Sequence, residues 1–251
     1  MTRAEPQRID CHCHVGLGLR KKQEAEKLIK AMDALEIGVS VVCPVDEHIA
    51  VSNVEGNNEI LEVTKKHRGR LWGMAVANPW WGSKAIEELK RALGEGLKGL
   101  KINPSLQGHW ANDEMLDPLI DLVQLHGGHA YVHSGTPDFS LPFEVCDLAM
   151  RHPGVDFIMG HSGFVDVFWN QAVYSAIRPG LTNIYYDTSH ISFVGEIRDA
   201  VRKIGAQRFV FGSDSPAGSL GLELYKIGLL GLSKEEESMI LRGNMAKILK
   251  L

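Results

Sequence analysis

The chain has 251 residues, 44% of them apolar and 23% charged, with a net charge of −4. That is enough chain for a large core, and the ordinary composition excludes collagen-like and disordered classes. No block of like charges offers a grip on nucleic acid or an anionic bilayer. The opening stretch, MTRAEPQRID, lacks the apolar region of a signal peptide, and no apolar run approaches the ~18 residues of a membrane span. Cys11, Cys13, Cys43 and Cys146 form no CxxC pair. They read as reduced thiols of a cytoplasmic protein.

Eight short apolar runs rich in β-branched residues follow one another: 8–15, 38–45, 71–79, 99–104, 130–135, 156–163, 184–189 and 208–214. Most end in a Gly, Pro, Ser or Asn signal, as strands do. Between them, 24–36, 57–67, 83–93, 114–126, 143–152 and 195–204 carry apolar residues at the i, i+3, i+4 spacing of helices. The stretch 164–177 fits a helix less cleanly. Ser233 and Glu236 form a capping box that opens a closing helix over about 233–250. The 200 residues from His14 to Asp214 divide into seven steps of about 29, the length of one βα unit. Eight such units predict an α/β fold, a parallel (β/α)8 TIM barrel. An open doubly wound sheet is the competitor, and no GxGxxG or GxxxxGK[ST] follows the first strand to support it. No linker-like tract interrupts the chain, so residues 1–251 read as a single domain.

The first strand contains the motif DCHCH. On a regular strand His12 and His14 share one face and Cys11 and Cys13 the other. One ion is therefore held by the imidazoles, by the thiols, or by neither pair. His133 ends the fifth strand, His161 closes the sixth, and Asp214 closes the eighth. A barrel gathers its strand ends at one mouth, and imidazoles with a carboxylate suit Zn²⁺ in a four-coordinate site. The metal is accordingly assigned to the histidines, and Cys11 and Cys13 are expected to pack against the helix layer.

The motifs IDCHCH, GLKGLKINP, VHSG, GHSG, FGSDSP and ILRGNMAKIL occur in the order seen in the amidohydrolase superfamily. The chain resembles its amidohydrolase-related (amidohydrolase 2) branch, which includes aminocarboxymuconate semialdehyde decarboxylase, aromatic-acid decarboxylases and a pyrone lactonase. The resemblance runs from residue 8 to the C-terminus. It implies that His12, His14, His133 and Asp214 bind one divalent metal, Zn²⁺ first and Mn²⁺ as the alternative. It also implies that His161 is the acid/base histidine, with Asp214 sharing proton movement. Lys101 ends strand four, where binuclear relatives carry a carboxylated lysine bridging two metals. Here an ion-pair or hydrogen-bond role is the main expectation and the bridge the alternative. A TatD-like nuclease would want a glutamate at strand four, and GLKGLKINP has none.

The loops after the strands offer Trp80, Trp81, His109, Trp110, Phe164, Phe168, Trp169 and His190. Clustered aromatics can stack a flat substrate or simply pack barrel against helix. Trp80, His109, Trp110, Phe164 and His190 are taken as the substrate pocket. Arg20, Lys21 and Lys22 can pair a substrate carboxylate or stand as a solvated helix start. Asp187 can support the ligands from behind or cap a turn. The leading expectation is a metal-dependent hydrolase of a small organic acid, lactone or amide, acting through a metal-activated water. This reading draws on a chain shorter than expected for the family's decarboxylases. The alternatives are a metal-dependent decarboxylase of an unsaturated or aromatic acid and a non-catalytic metal-binding barrel. Beyond a small-molecule substrate the expected partner is at most a second copy in a homodimer, with no nucleic acid and no membrane.

Overall fold

The computed structural model describes residues 8–163, 166–177 and 180–251, the stretch 166–170 by its backbone alone. Eight parallel strands follow one another in sequence order: β1 (Ile9–His14), β2 (Val39–Cys43), β3 (Leu71–Val76), β4 (Gly99–Ile102), β5 (His129–His133), β6 (Asp156–Gly160), β7 (Ile184–Asp187) and β8 (Phe209–Val210). Each is buried and non-alternating, as parallel strands covered on both faces must be. The ring closes through backbone bonds beyond β8. Cys11 N–H donates to Phe211 O at 2.8 Å, Asp214 N–H to His12 O at 2.9 Å, and His14 N–H to Ser215 O at 2.7 Å. The fold is the (β/α)8 barrel that the spacing predicts.

The surrounding helices are α1 (Ala25–Ala34), α2 (Asn53–Lys66), α3 (Ser83–Gly94), α4 (Asp117–Leu125), α5 (Pro142–Arg151), α6 (Asp166–Ile177), α7 (Val194–Ile204) and α8 (Leu220–Gly228). Their apolar stripes, including Leu28, Met32, Leu89, Val123 and Leu148, pack on the outward face of the strands. A second core fills the barrel with Ile9, Val41, Met74, Tyr131, Ile158 and Val210. The chain then runs through α9 (Lys234–Ser238), a π-helical turn over Met239–Gly243 and α10 (Asn244–Leu249). Ser233 and Glu236 make both bonds of the capping box. Met245, Ile248 and Leu249 of α10 join the interior core, so the closing helix is the floor of the barrel. Among the described residues no helix is long and apolar enough to cross a membrane.

One expectation about β1 fails. The strand slips register between Asp10 and Cys13, and this bulge breaks strict alternation. Cys13 packs in the outer core, but Cys11 belongs to the barrel interior. A Cβ placed on Gly212 would meet the Cys11 sulfur at 3.0 Å and the Asp187 carboxylate at 2.1 Å. Glycine is therefore required there by close approach.

Asp10 pins the bulge. Its carboxylate accepts from His12 N–H at 3.1 Å, Ser213 N–H at 2.9 Å and Ser213 Oγ–H at 2.6 Å. Burial nonetheless raises its pKa from 3.8 to about 7, since desolvation disfavours the ionised form. An acid whose pKa is higher folded than unfolded adds stability at low pH and loses it as pH rises through the folded value. Asp10→Asn keeps the shape and removes the titration. Thermal melts from about pH 4 to about pH 8 should therefore show wild type losing stability relative to Asp10→Asn as pH rises. A constant difference between the two proteins across that range would overturn this account.

Candidate metal and catalytic site

The strand ends converge on a cavity of about 360 Å³ at the C-terminal mouth. His12, His14, Lys101, His133, His161, His190 and Asp214 all line it, with Arg20, Lys21, Asn103 and Thr136 at its edge. The volume suits a small molecule. His12 and His14 stand edge to face, ring centroids 4.8 Å apart. His12 stacks on Tyr131 at 4.0 Å, and His161 lies 5.8 Å from His12 and 5.0 Å from His133.

Backbone strain aims several of these side chains. His161, Ser162, His190 and Asp214 have φ of 59°, 46°, 60° and 48°, a left-handed region that non-glycine residues seldom occupy. Hydrogen bonds hold each turn. Ser162 Oγ–H donates to Asp187 O at 2.7 Å, and Gly163 N–H to Ser134 Oγ at 2.9 Å. His190 N–H donates to Glu223 Oε1 at 3.1 Å. Such turns at strand ends bend the side chains back over the mouth.

Asp214 is the electrostatic centre. Oδ1 lies 3.1 Å from His14 Nε2 and 3.4 Å from His12 Nδ1, and Oδ2 is 2.7 Å from His190 Nε2. Burial alone would raise its pKa, but His14 and His190 outweigh that and hold it well below the carboxylate range. Burial, then the Lys101 cation, lowers His12, and the same causes bring His133 to about 3. Burial likewise lowers His161. His12, His133 and His161 are thus neutral beside an ionised carboxylate, as a divalent metal requires. His14, raised to about 9 against burial, by Cys43 and Asp214, and His190, raised by its bond to Asp214, would each give up a proton to a metal. His12 Nδ1 and Asp214 Oδ1 are buried without a hydrogen bond of acceptable geometry. Orphaned polar atoms facing each other inside a ring of histidines fit a cation that takes a lone pair from each.

Two donor groups have all their ligand atoms within 4.8 Å of one another: His12, His161 and Asp214, and His12, His14 and Cys43. His12 is common to both, with Nδ1 facing Asp214 and Nε2 facing Cys43. Cys43 Sγ lies 3.6 Å from His12 Nε2 and 3.3 Å from His14 Nδ1. On that side Lys101 Nζ stands 3.0 Å from His12 Nε2, and His14 Nδ1 bonds Pro44 O at 2.7 Å. A cation and an occupied nitrogen make the thiol side a poor metal site. On the Asp214 side Lys21 Nζ likewise reaches His14 Nε2, at 2.8 Å, but that side opens to the cavity and leaves His12 Nδ1 and Asp214 Oδ1 unsatisfied. His133 lies at the next ring over and bonds Thr136 Oγ1 at 2.9 Å.

Other pocket candidates are dispersed. His190 lines the cavity, but Trp80, His109 and Trp110 do not. Trp80 and Trp110 are 58% and 56% exposed. Trp80 borders a separate apolar groove with Pro79, Ile86, Met115 and Pro118. His109 is buried and bonds Trp110 O at 2.9 Å. Phe164 lies outside the described residues, as do the side chains of Phe168 and Trp169. Sequence reasoning overlooked Tyr131 and Ser189. Each lies two residues from a named candidate, His133 and Asp187, and so shares its face of the chain.

The amidohydrolase family model matches residues 9–251. No curated protein matches the sequence. Among solved structures, a dihydroxybenzoic acid decarboxylase from Polaromonas sp. JS666, with bound manganese and 2-nitroresorcinol, superposes with a TM-score of 0.78 at 17% identity. The match covers 98% of each chain. The 2,6-dihydroxybenzoate decarboxylase from Rhizobium gives 0.77 at 17% identity over 98% of this chain and 99% of that one. The 4-oxalomesaconate hydratase from Rhodopseudomonas palustris gives 0.72 at 18% identity over 97% and 95%. At these identities the likeness establishes the fold.

Two outcomes follow from the geometry. Asp214→Asn should weaken metal binding by at least about 10-fold, read by competition with a chromogenic chelator. Unchanged affinity would remove Asp214 from the site. Gly160→Ala would put a methyl group 2.5 Å from the Tyr131 ring. It should destabilise the fold by about 1–3 kcal/mol in denaturant melts, and a neutral effect would mean that Tyr131 is free to move.

Proposed function

This chain belongs to the amidohydrolase family, and from that premise we propose that it is a metal-dependent decarboxylase of an aromatic or unsaturated carboxylic acid. The observation that carries the reading is the charge of the cavity. Arg20, Lys21 and Lys101 line it against Asp46 and Asp214, an excess of one positive charge, with Lys21 paired to Asp46. A carboxylate substrate matches that excess, which a neutral lactone or amide does not call for. The decarboxylases among the solved neighbours, three of these structures with manganese bound, support it. The end-to-end matches also remove chain length as an argument against it.

A divalent metal held by His12, Asp214 and their neighbouring imidazoles would supply Lewis acidity toward a substrate oxygen. The protein supplies the rest. Lys21 Nζ, 2.8 Å from His14 Nε2 and 3.0 Å from Asp46 Oδ1, receives the carboxylate with Arg20. The bond from that carboxylate to the substrate carbon breaks, CO₂ leaves, and the electron pair passes into the unsaturated system. His161, having taken a proton from solvent on the nitrogen that faces the cavity, delivers it to the carbon, so the carboxylate group is replaced by hydrogen. Asp214 keeps the site compact and stabilises the protonated imidazole. The metal is zinc by the preference of the donors or manganese by analogy with the neighbours. One equivalent per chain fits this donor set, and two would assign Lys101 as a carboxylated bridge.

Hydrolysis of a lactone or amide would use the same donors and is the second reading. Protein loaded with Mn²⁺ or Zn²⁺ should release CO₂ from a member of a hydroxybenzoic and unsaturated acid panel. His161→Ala should lower kcat by about 10²–10⁴-fold. Net acid production from lactones or amides, without CO₂ from any acid, would replace the decarboxylase with the hydrolase.

A further inference from the structure

Behind His161 lies a chain of buried polar groups that the proposed reaction does not explain. His161 Nδ1 is 2.8 Å from Ser189 Oγ, and Ser189 Oγ is 2.5 Å from Asp187 Oδ2. Asp187 Oδ2 also accepts from Tyr131 O–H at 2.6 Å and His161 N–H at 3.2 Å, and Oδ1 accepts from Ser189 N–H at 3.0 Å. Asp187, Ser189 and Tyr131 are fully buried. No solvent reaches the chain to scramble its hydrogen bonds, and Gly160 and Gly212 leave the space that Tyr131 and Asp187 fill.

The direction of each bond follows from the atoms. Backbone N–H groups can only donate, and both that reach Asp187 do so, which makes its carboxylate the acceptor end. Ser189 has one hydroxyl proton, and the short contact spends it on Asp187. The serine oxygen then has only lone pairs to offer His161. For the 2.8 Å contact to be a hydrogen bond, His161 must carry its proton on Nδ1. We infer that Ser189, oriented by Asp187, is the positioning residue that locks His161 as the Nδ1–H tautomer and presents the Nε2 lone pair to the cavity. An imidazole in the other tautomer would turn an N–H toward the site, where it could neither ligate a metal nor take up a proton. The inference takes from the proposed reaction only that His161 serves the cavity through its inner nitrogen.

The test reads the tautomer directly. Full-length protein with ¹⁵N-labelled histidine, metal-free and zinc-loaded, is examined by NMR through the two-bond couplings of the ring, with His161 assigned by its loss in His161→Gln. Wild type should show Nδ1–H. Ser189→Ala should give a mixture, and Ser189→Thr, which keeps the hydroxyl, should restore Nδ1–H. Asp187→Asn, whose amide nitrogen meets a backbone N–H in either orientation, should likewise loosen the lock and give a mixture. In turnover, Ser189→Ala should lower kcat about 10–100-fold with KM kept. An Nε2–H wild type, or a tautomer unchanged in Ser189→Ala, would overturn the relay. Because the tautomer is read without substrate, failure of the relay and failure of the decarboxylase reading are separate results.

Discussion

The site depends on the closure of β8 onto β1. Asp10 accepts three hydrogen bonds at the seam, two of them from Ser213, 203 residues away in sequence. Asp214 follows immediately, and its own N–H bonds His12 O. A carboxylate from the end of the barrel is thus set 3.1–3.4 Å from imidazoles of its beginning. No single βα unit contains enough donors for a metal, so the chemistry belongs to the seam. The cost is a buried acid that would sooner be neutral, a local conflict of the kind that functional sites tolerate.

Electrostatic organisation follows the same geometry. Lys101 reaches inward from β4 and lies 4.1 Å over the Tyr131 ring, so the aromatic face accepts part of its charge. That cation helps hold His12 and His133 neutral, while His14 and His190 keep Asp214 ionised. The mouth therefore has Asp214 at its centre between the raised imidazoles of His14 and His190, neutral nitrogens on His12, His133 and His161, and an edge where Arg20 and Lys21 stand with Asp46. Preorganisation of this sort does its work before any substrate arrives.

Much of this was legible in the sequence because a barrel is periodic. A steady βα spacing locates strand ends, and strand ends locate His12, His14, His133, His161 and Asp214. Whatever depends on departures from regularity was not legible. The bulge at Asp10 turns Cys11 inward against strict alternation. α8 was overlooked because Gly218, Gly221 and Gly228 mask its helical pattern. Loop residues were the least predictable. Trp80, His109 and Trp110 follow strands three and four closely, yet their loops carry them away from the cavity. Position along the chain specifies which end of a barrel a loop occupies, but not whether it turns toward the axis.

The floor of the barrel bears on how the protein comes to exist. Met245, Ile248 and Leu249 seal the interior from below, while the seam above needs Ser213 and Asp214. During synthesis β1 can pair with β2 early but waits for its other neighbour, β8, which is the last strand to appear. Its central strands can pair with their neighbours as they arrive, since each contact there is local in sequence. Ring closure must bring together segments separated by most of the chain, and that loop entropy is met only once. Assembly of the donor set is therefore a late event, and a stalled or truncated nascent chain carries histidines without a metal site.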